Sequence, residues 1–461
     1  MHPSHAIRGR SSQLLAGRRI VIGVSGSIAG IELPRVIREL IRHGADVLAV
    51  MSPEATRLVT PETLEFATGH PPVTQLTGNV EHVTLLGPGT GRADLYLIAP
   101  ATANTISKIA HGIDDTPVTS CASVALGGGV PILLAPAMHS HMGLNPAVQE
   151  NLEKLRGWGV EVVPSVSAEG EEKIASPEDI AAAVLHRLAR GPWSGRRVVV
   201  VGGASREPID DVRSVTNESS GATAVALANQ AYFRGADVDL WAGALQVSVP
   251  PWIRVTPWKG VEDLLALARR STGQLASAAA VFVPAALADY TLEKRSGKIS
   301  SREHDRLTLS LRRAPKVLPE LRRRAPAPVR LVAFKLEAGR TPDQLESEGR
   351  RLGSESGADW VVANDVATMG SSEIAALVLP PSGTRLWIRG PKAEFAGKLL
   401  DDVGRDLSNL STSVSKPAVP RTRPPRRPRA HERFDGTVPQ EVPRSRSRGT
   451  RRRIRSGRRD R

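Results

Sequence analysis

Arg18-Arg19-Ile20-Val21-Ile22-Gly23-Val24-Ser25-Gly26-Ser27 is the stretch that decides the fold. Its apolar run is too short for a helix and rich in β-branched residues, so it reads as a buried strand. Ser25-Gly26-Ser27 breaks the strand. Ile31 to His43 then carries apolar residues at helical spacing, and Ala45 to Met51 is apolar again. The pattern restarts at Arg196-Arg197-Val198-Val199-Val200-Val201 and breaks at Gly202-Gly203. It continues through a helix over Ala222 to Arg234 and a strand over Ala236 to Trp241. Further strand runs are Asp94 to Ala99, Val130 to Ala135 and Glu161 to Val163, then Ala279 to Pro284, Val329 to Phe334 and Asp359 to Ala363. Strand, Gly turn, helix, strand, given twice, predicts an α/β chain with two doubly wound, mainly parallel-sheet domains. The expected boundaries are residues 14–189 and 196–405, joined by the Gly/Pro/Ser-interrupted linker 190–195.

Composition narrows the function classes. The chain has 461 residues, of which 40% are hydrophobic and 41 are Gly, enough to bury sizeable cores. Its single cysteine, Cys121, excludes an intrachain disulfide framework and any multi-cysteine metal site. Only 16 residues are aromatic, too few for a broad base-stacking platform. No run of 18 apolar residues predicts a membrane span. The first 19 residues lack the apolar core of a secretory signal, so the expectation is a soluble, cytoplasmic protein. The net charge of +15 is concentrated at one end. Residues 411–461 hold 17 Lys and Arg against 4 Asp and Glu, whereas the other 410 residues hold 45 against 43. This Arg/Pro-rich tail reads as disordered. Weak polyanion binding, including a nucleic-acid role, competes there with a merely solubilising tail.

Gly23 to Gly30 fits neither the dinucleotide fingerprint nor a Walker A loop. It does place backbone N–H groups and the Ser25 and Ser27 hydroxyls at a helix start, a suitable phosphate cradle. Two Pro-stiffened segments, Pro100 to Thr105 and Pro136 to Met142, follow strands directly and bring an amide and imidazoles to the same sheet edge. In open α/β sheets ligands bind at that edge. His82, in Glu81-His82-Val83, is a candidate base, although a lone His is more often structural.

Gly26-Ser27-Ile28-Ala29, Glu81-His82-Val83, Pro100–Thr105 and Pro136-Ala137-Met138 with Met142 resemble, in that order, the flavin-containing cysteine decarboxylases. Gly202-Gly203-Ala204-Ser205-Arg206-Glu207-Pro208-Ile209-Asp210, Val212-Arg213 and Thr216-Asn217-Glu218-Ser219-Ser220-Gly221 resemble the phosphopantothenate–cysteine ligases. Together, over about residues 18–405, they resemble the bifunctional coenzyme A biosynthesis family. The resemblance implies that an acyl-cytidylate of 4'-phosphopantothenate, made from CTP with Mg2+, is attacked by cysteine. FMN-dependent oxidation of the product's CH2–SH then supplies the electron sink for loss of CO2, and re-reduction gives 4'-phosphopantetheine.

It further implies His82 as the base, and Gly26, Ser27, Ser52, Thr102, Ala103, Asn104 and Thr105 as cofactor-binding residues. Met138, His139 and Met142 would form the substrate clamp. In the second half Asn217 would hold the acyl intermediate and Lys298 the triphosphate. Ser219, Ser220, Gly221, Val283, Pro284, Ala285, Asp289 and Phe334 would surround the nucleotide, with Asp289 also toward the metal. Trimer contacts in the first half and dimer contacts in the second are implied as well.

Three positions depart from the family pattern. His139 stands where Asn is usual. Ser167 to Ile174 lacks the usual flap cysteine, leaving Lys173, His141 or water as the proton donor and a non-catalytic flavin scaffold as the competing reading. Leu352 and Ser356 stand near two usual lysines, with Arg350 and Arg351 close by; Arg meets phosphate as a planar fork rather than a point charge.

Overall fold

In the computed structural model residues 2–164, 166–168, 171–300, 306–368 and 370–414 are described. The β-branched run becomes the strand Arg19–Val24, with five of its six residues buried. It pairs in parallel with Asp46–Met51 on one side and Leu95–Ala101 on the other. Ile132–Pro136 and Glu161–Val162 extend the sheet, also in parallel. The five strands run in the order second, first, third, fourth, fifth. Chain direction therefore reverses across the sheet between the first and third strands, opening a crevice at their carboxyl ends. Helices Leu33–Arg42, Pro61–Thr68 and Pro177–Leu188 bury their apolar stripes on one face. Ala103–Ala110, Pro117–Gly128 and Pro146–Gly157 cover the other.

The second half builds an eight-stranded sheet around Arg197–Gly202. Asp237–Ala242, Arg254–Pro257, Ala278–Val283, Arg330–Glu337 and Trp360–Asp365 complete its parallel part. Glu373–Leu379 and Leu386–Pro391 add an antiparallel pair that the strand–helix alternation did not announce. Ala222–Phe233 and Lys392–Val414 pack on one face; Val261–Arg270 and Val317–Arg324 pack on the other. The mainly parallel α/β class is thus as expected, and most strand ends fall within a residue or two of the sequence reading.

Two readings change. The last helix continues through Ser411–Val414, so the tail's expected start at Ser411 is too early. Earlier turns of the same helix bury Phe395, Leu399 and Val403 in the core. Residues 415–461, and so the disorder expected of them, lie outside the described residues. The 190–195 segment is not a free spacer either. Trp193 is 2% exposed, sits in the second half's core and donates its indole N–H to the Leu400 carbonyl at 3.0 Å. Nearby, His186 stacks on Tyr232 with centroids 4.2 Å apart and bonds the Tyr232 carbonyl at 2.9 Å, joining the two halves. Among the described residues no helix is long and apolar enough to cross a membrane.

Trp193→Ala removes a buried indole together with its bond to the Leu400 carbonyl. It should destabilise the second half by about 3–5 kcal/mol. Chemical denaturation followed by Trp fluorescence checks this; a loss under about 1 kcal/mol would contradict the anchoring role.

Candidate active sites

A buried serine after the first strand organises each half. Ser25 is 1% exposed; its hydroxyl donates to the Pro100 carbonyl at 2.5 Å and accepts from the Thr102 amide at 3.0 Å. The loop after the third strand is thereby locked to the loop after the first. Ser205 repeats the arrangement. It is fully buried, its amide donates to the Ala286 carbonyl at 3.1 Å, and its hydroxyl accepts from the Ala288 amide at 2.9 Å.

Over the first lock lies a cavity of about 360 Å³, within the usual size range of small-molecule sites. Gly26, Ser27, Ser52, Thr102, Ala103, Asn104 and Thr105 all line it, as do Met138 and Met142. Gly26 is required there: a Cβ would come within 2.5 Å of the Glu54 Cβ. Side-chain caps preset the wall. Ser27 accepts from the Ala29 amide at 3.3 Å, Ser52 from Ala55 at 3.2 Å, and Thr102 from Thr105 at 3.2 Å. The positive ends of these helix starts fit an anionic group at one end, and the apolar Ala103, Ala137 and Met138 fit a flat ring. Such a donor set suits a flavin mononucleotide.

Other first-half positions are less simply placed. His139 is next to the cavity wall, exposed, and accepts from the His141 amide at 3.3 Å. Its strand, Met138–His139, pairs antiparallel with Glu171–Lys173, part of the stretch in which the sequence lacks the usual flap cysteine. The Lys173 side chain lies outside the described residues. His82 is on the short helix Glu81–Leu86 and is not among the residues lining this cavity. Its Nδ1 is buried without a hydrogen-bond partner. Val80, just before it, holds a left-handed φ of 47°, a strained conformation for a β-branched residue. Val80 and Val83 beside it are 49% and 42% exposed.

The sequence reading missed Lys108, Thr116 and Thr119, which also line the cavity. Lys108 is four residues after Asn104 and shares its helix face, a spacing that could have found it. Thr116 and Thr119 form a capping box at the next helix start.

In the second half a smaller cavity is lined by Ser219, Ser220, Gly221, Pro284, Ala285 and Phe334, together with the unanticipated Asn364 and Lys392. Gly221, with φ of 75°, caps the helix Ala222–Phe233, whose first turn, Ala222 to Ala224, also lines the cavity. Val283 is instead sealed in its strand at 3% exposure, directly before Pro284. Asn217, Asp289 and Lys298 are exposed and lie outside this cavity's lining.

The Glu207–Arg213 motif explains how Lys298 is placed. Buried Glu207 accepts from the Val261 amide at 2.9 Å and the Thr291 hydroxyl at 2.8 Å. Asp210 grips Arg213 at 2.6 Å and the Ile299 amide at 3.1 Å, while Arg213 donates to the Ile299 carbonyl at 2.7 Å. The Arg213 guanidinium holds the Asp210 carboxyl far below the usual carboxylate range. The Lys298 loop is thus clasped by charge-assisted bonds.

Asp289 pairs with Lys316 at 2.9 Å. Among the described residues no three His, Cys, Asp or Glu side chains cluster as metal ligands. A lone carboxylate fits Mg2+ only where substrate phosphates supply most of the coordination. Arg350 and Arg351, expected near the nucleotide, are engaged with Glu346, Glu348 and Glu355 along their own helix.

Cys121 is buried, and desolvation pushes its thiol up to about 12. At pH 8 it should therefore resist iodoacetamide until the chain unfolds; rapid labelling of the native protein would contradict this.

Residues 8–189 match the Flavoprotein family, and residues 193–407 match the DNA/pantothenate metabolism flavoprotein C-terminal domain. The coenzyme A biosynthesis bifunctional protein CoaBC of Thermococcus kodakarensis is 41% identical over 409 residues, covering 88% of this chain and 100% of that protein. The Methanocaldococcus jannaschii CoaBC is 33% identical, covering 87% of this chain and 97% of that protein. The chain therefore belongs to the CoaBC family of bifunctional coenzyme A biosynthesis proteins.

Proposed function

We propose that the two sheet crevices divide the two activities of one enzyme of coenzyme A biosynthesis. Residues 14–189 act as the phosphopantothenoylcysteine decarboxylase, and residues 196–405 as the phosphopantothenate–cysteine ligase. One observation carries the first assignment: all seven residues singled out for the flavin line one cavity at the crevice.

FMN, when bound, supplies hydride acceptance and return at the substrate's thiol-bearing carbon. Gly26, Ser27 and Ser52 would hold its phosphate through amides and hydroxyls. Thr102 to Thr105 would hold its ring, and Met138, His139 and Met142 would orient the substrate. His82 would take the substrate's proton; its unpartnered Nδ1 leaves the imidazole without a structural hydrogen bond at that atom. A trimer would bring His82 of one copy to the cavity of another, and the exposed Val80 and Val83 supply apolar surface for that contact.

In the ligase half CTP would enter the second cavity, its phosphates toward Ser219–Gly221 and its base toward Phe334. Lys298 would neutralise developing charge on the triphosphate, and Asn217 would hold the acyl-cytidylate. Asp289 would help hold the Mg2+ that accompanies CTP, and its exposed pairing with Lys316 is cheap to give up. Dimer contacts in this half, a cytoplasmic location and weak polyanion binding by the basic tail complete the reading.

Purified protein should be yellow, with the absorption bands of oxidised FMN; a colourless protein that also rejects added FMN would defeat the decarboxylase assignment. His82→Asn should cut CO2 release by about 10²-fold or more while pyrophosphate release from CTP continues. Lys298→Gln should do the reverse, with ligation lost by about 10²-fold and decarboxylation retained. Loss of both activities in either variant would contradict the division of labour.

A further inference from the structure

We infer that Lys108 sets the electron affinity of the flavin bound in the first cavity, with Asp115 as its attenuator. The inference rests on the flavin reading above and assigns a role that no sequence motif gave. Only two charged side chains line this cavity among the described residues, Glu54 and Lys108. Glu54 is exposed, on the wall beside Gly26. Lys108 also lines the cavity, one helical turn beyond Asn104, with a side chain 24% exposed. Its ammonium meets the Asp115 carboxylate at 2.8 Å, and that carboxylate is 53% exposed. The starts of two helices, at Thr102 and Thr116, also line the cavity and add positive potential.

Two-electron reduction of a flavin takes up two electrons and one proton and leaves one negative charge on the ring system. A fixed cation in the cavity wall stabilises that charged product over the neutral oxidised form. Asp115 is better hydrated than Lys108 and cancels only part of the field. Removing the cation and removing its partner must therefore act in opposite directions. A mere structural tie between Lys108 and Asp115 would make both variants behave alike.

The test uses full-length protein reconstituted with FMN, reduced by xanthine and xanthine oxidase against a reference dye. Lys108→Met should weaken binding of reduced relative to oxidised FMN at least tenfold, lowering the potential by about 30 mV or more for a two-electron couple. Asp115→Asn should raise the potential, and Lys108→Arg should stay close to the parent. An unchanged potential in Lys108→Met, or shifts of the same sign in Lys108→Met and Asp115→Asn, overturns the inference. Should Lys108→Met fail to hold FMN, the absence of a rise in Asp115→Asn overturns it instead. A parent protein that binds no FMN defeats the flavin reading itself, an outcome distinct from bound FMN whose potential ignores both substitutions.

Discussion

Both crevices depend on one buried serine hydroxyl bridging two loops. Ser25 joins the end of the first strand to the Pro100–Thr102 loop, and Ser205 joins its counterpart to the Ala286–Ala288 loop. In each case the partners are a carbonyl and an amide two residues apart. The Ser25 hydroxyl both donates and accepts, and the Ser205 amide and hydroxyl each take one partner from the facing loop, so both serines are tied at two points. Loops at a sheet edge otherwise drift, because few apolar contacts hold them. The lock converts a generic switch-point crevice into a wall of fixed amides and caps, on which anion recognition can be built.

The same economy explains the long motif of the second half. Ser205, Glu207 and Asp210 sit in alternating and turn positions, yet each bonds a different distant segment: Ala288, Val261 with Thr291, and Ile299. None of the three was assigned a catalytic role. They hold the loops that carry Asp289 and Lys298. A motif can therefore be specific to a chemistry while most of its polar side chains serve position.

Much of this was legible in the sequence, for reasons that can be named. Strand runs such as Val198–Val201 are continuous and apolar because parallel strands are covered on both faces. Gly26 and Gly221 announced themselves because a Cβ clash or a positive φ demands glycine. The Gly-turn and Pro-loop positions Gly26, Ser27 and Thr102–Thr105 line one cavity because backbone geometry sets them. Long side chains are placed less directly by sequence: Asn217, Asp289 and Lys298 are exposed and outside the second cavity's lining, and Arg350 and Arg351 pair with glutamates of their own helix. Lys108 was missed because a charged residue on a short helix looks like solvent-facing surface until the cavity is seen. The antiparallel pair Glu373–Leu379 and Leu386–Pro391 was missed because it follows no helix.

Trp193 bears on how such chains can be taken apart. Composition marks 190–195 as a place to cut, yet the indole belongs to the downstream core. A fragment beginning after it would expose a hole over Phe282 and Leu400, whereas one beginning before residue 190 would carry its own plug. Any ancestral fission or laboratory dissection of the two activities is therefore constrained to the upstream side of that tryptophan, at the close of the helix Pro177–Leu188.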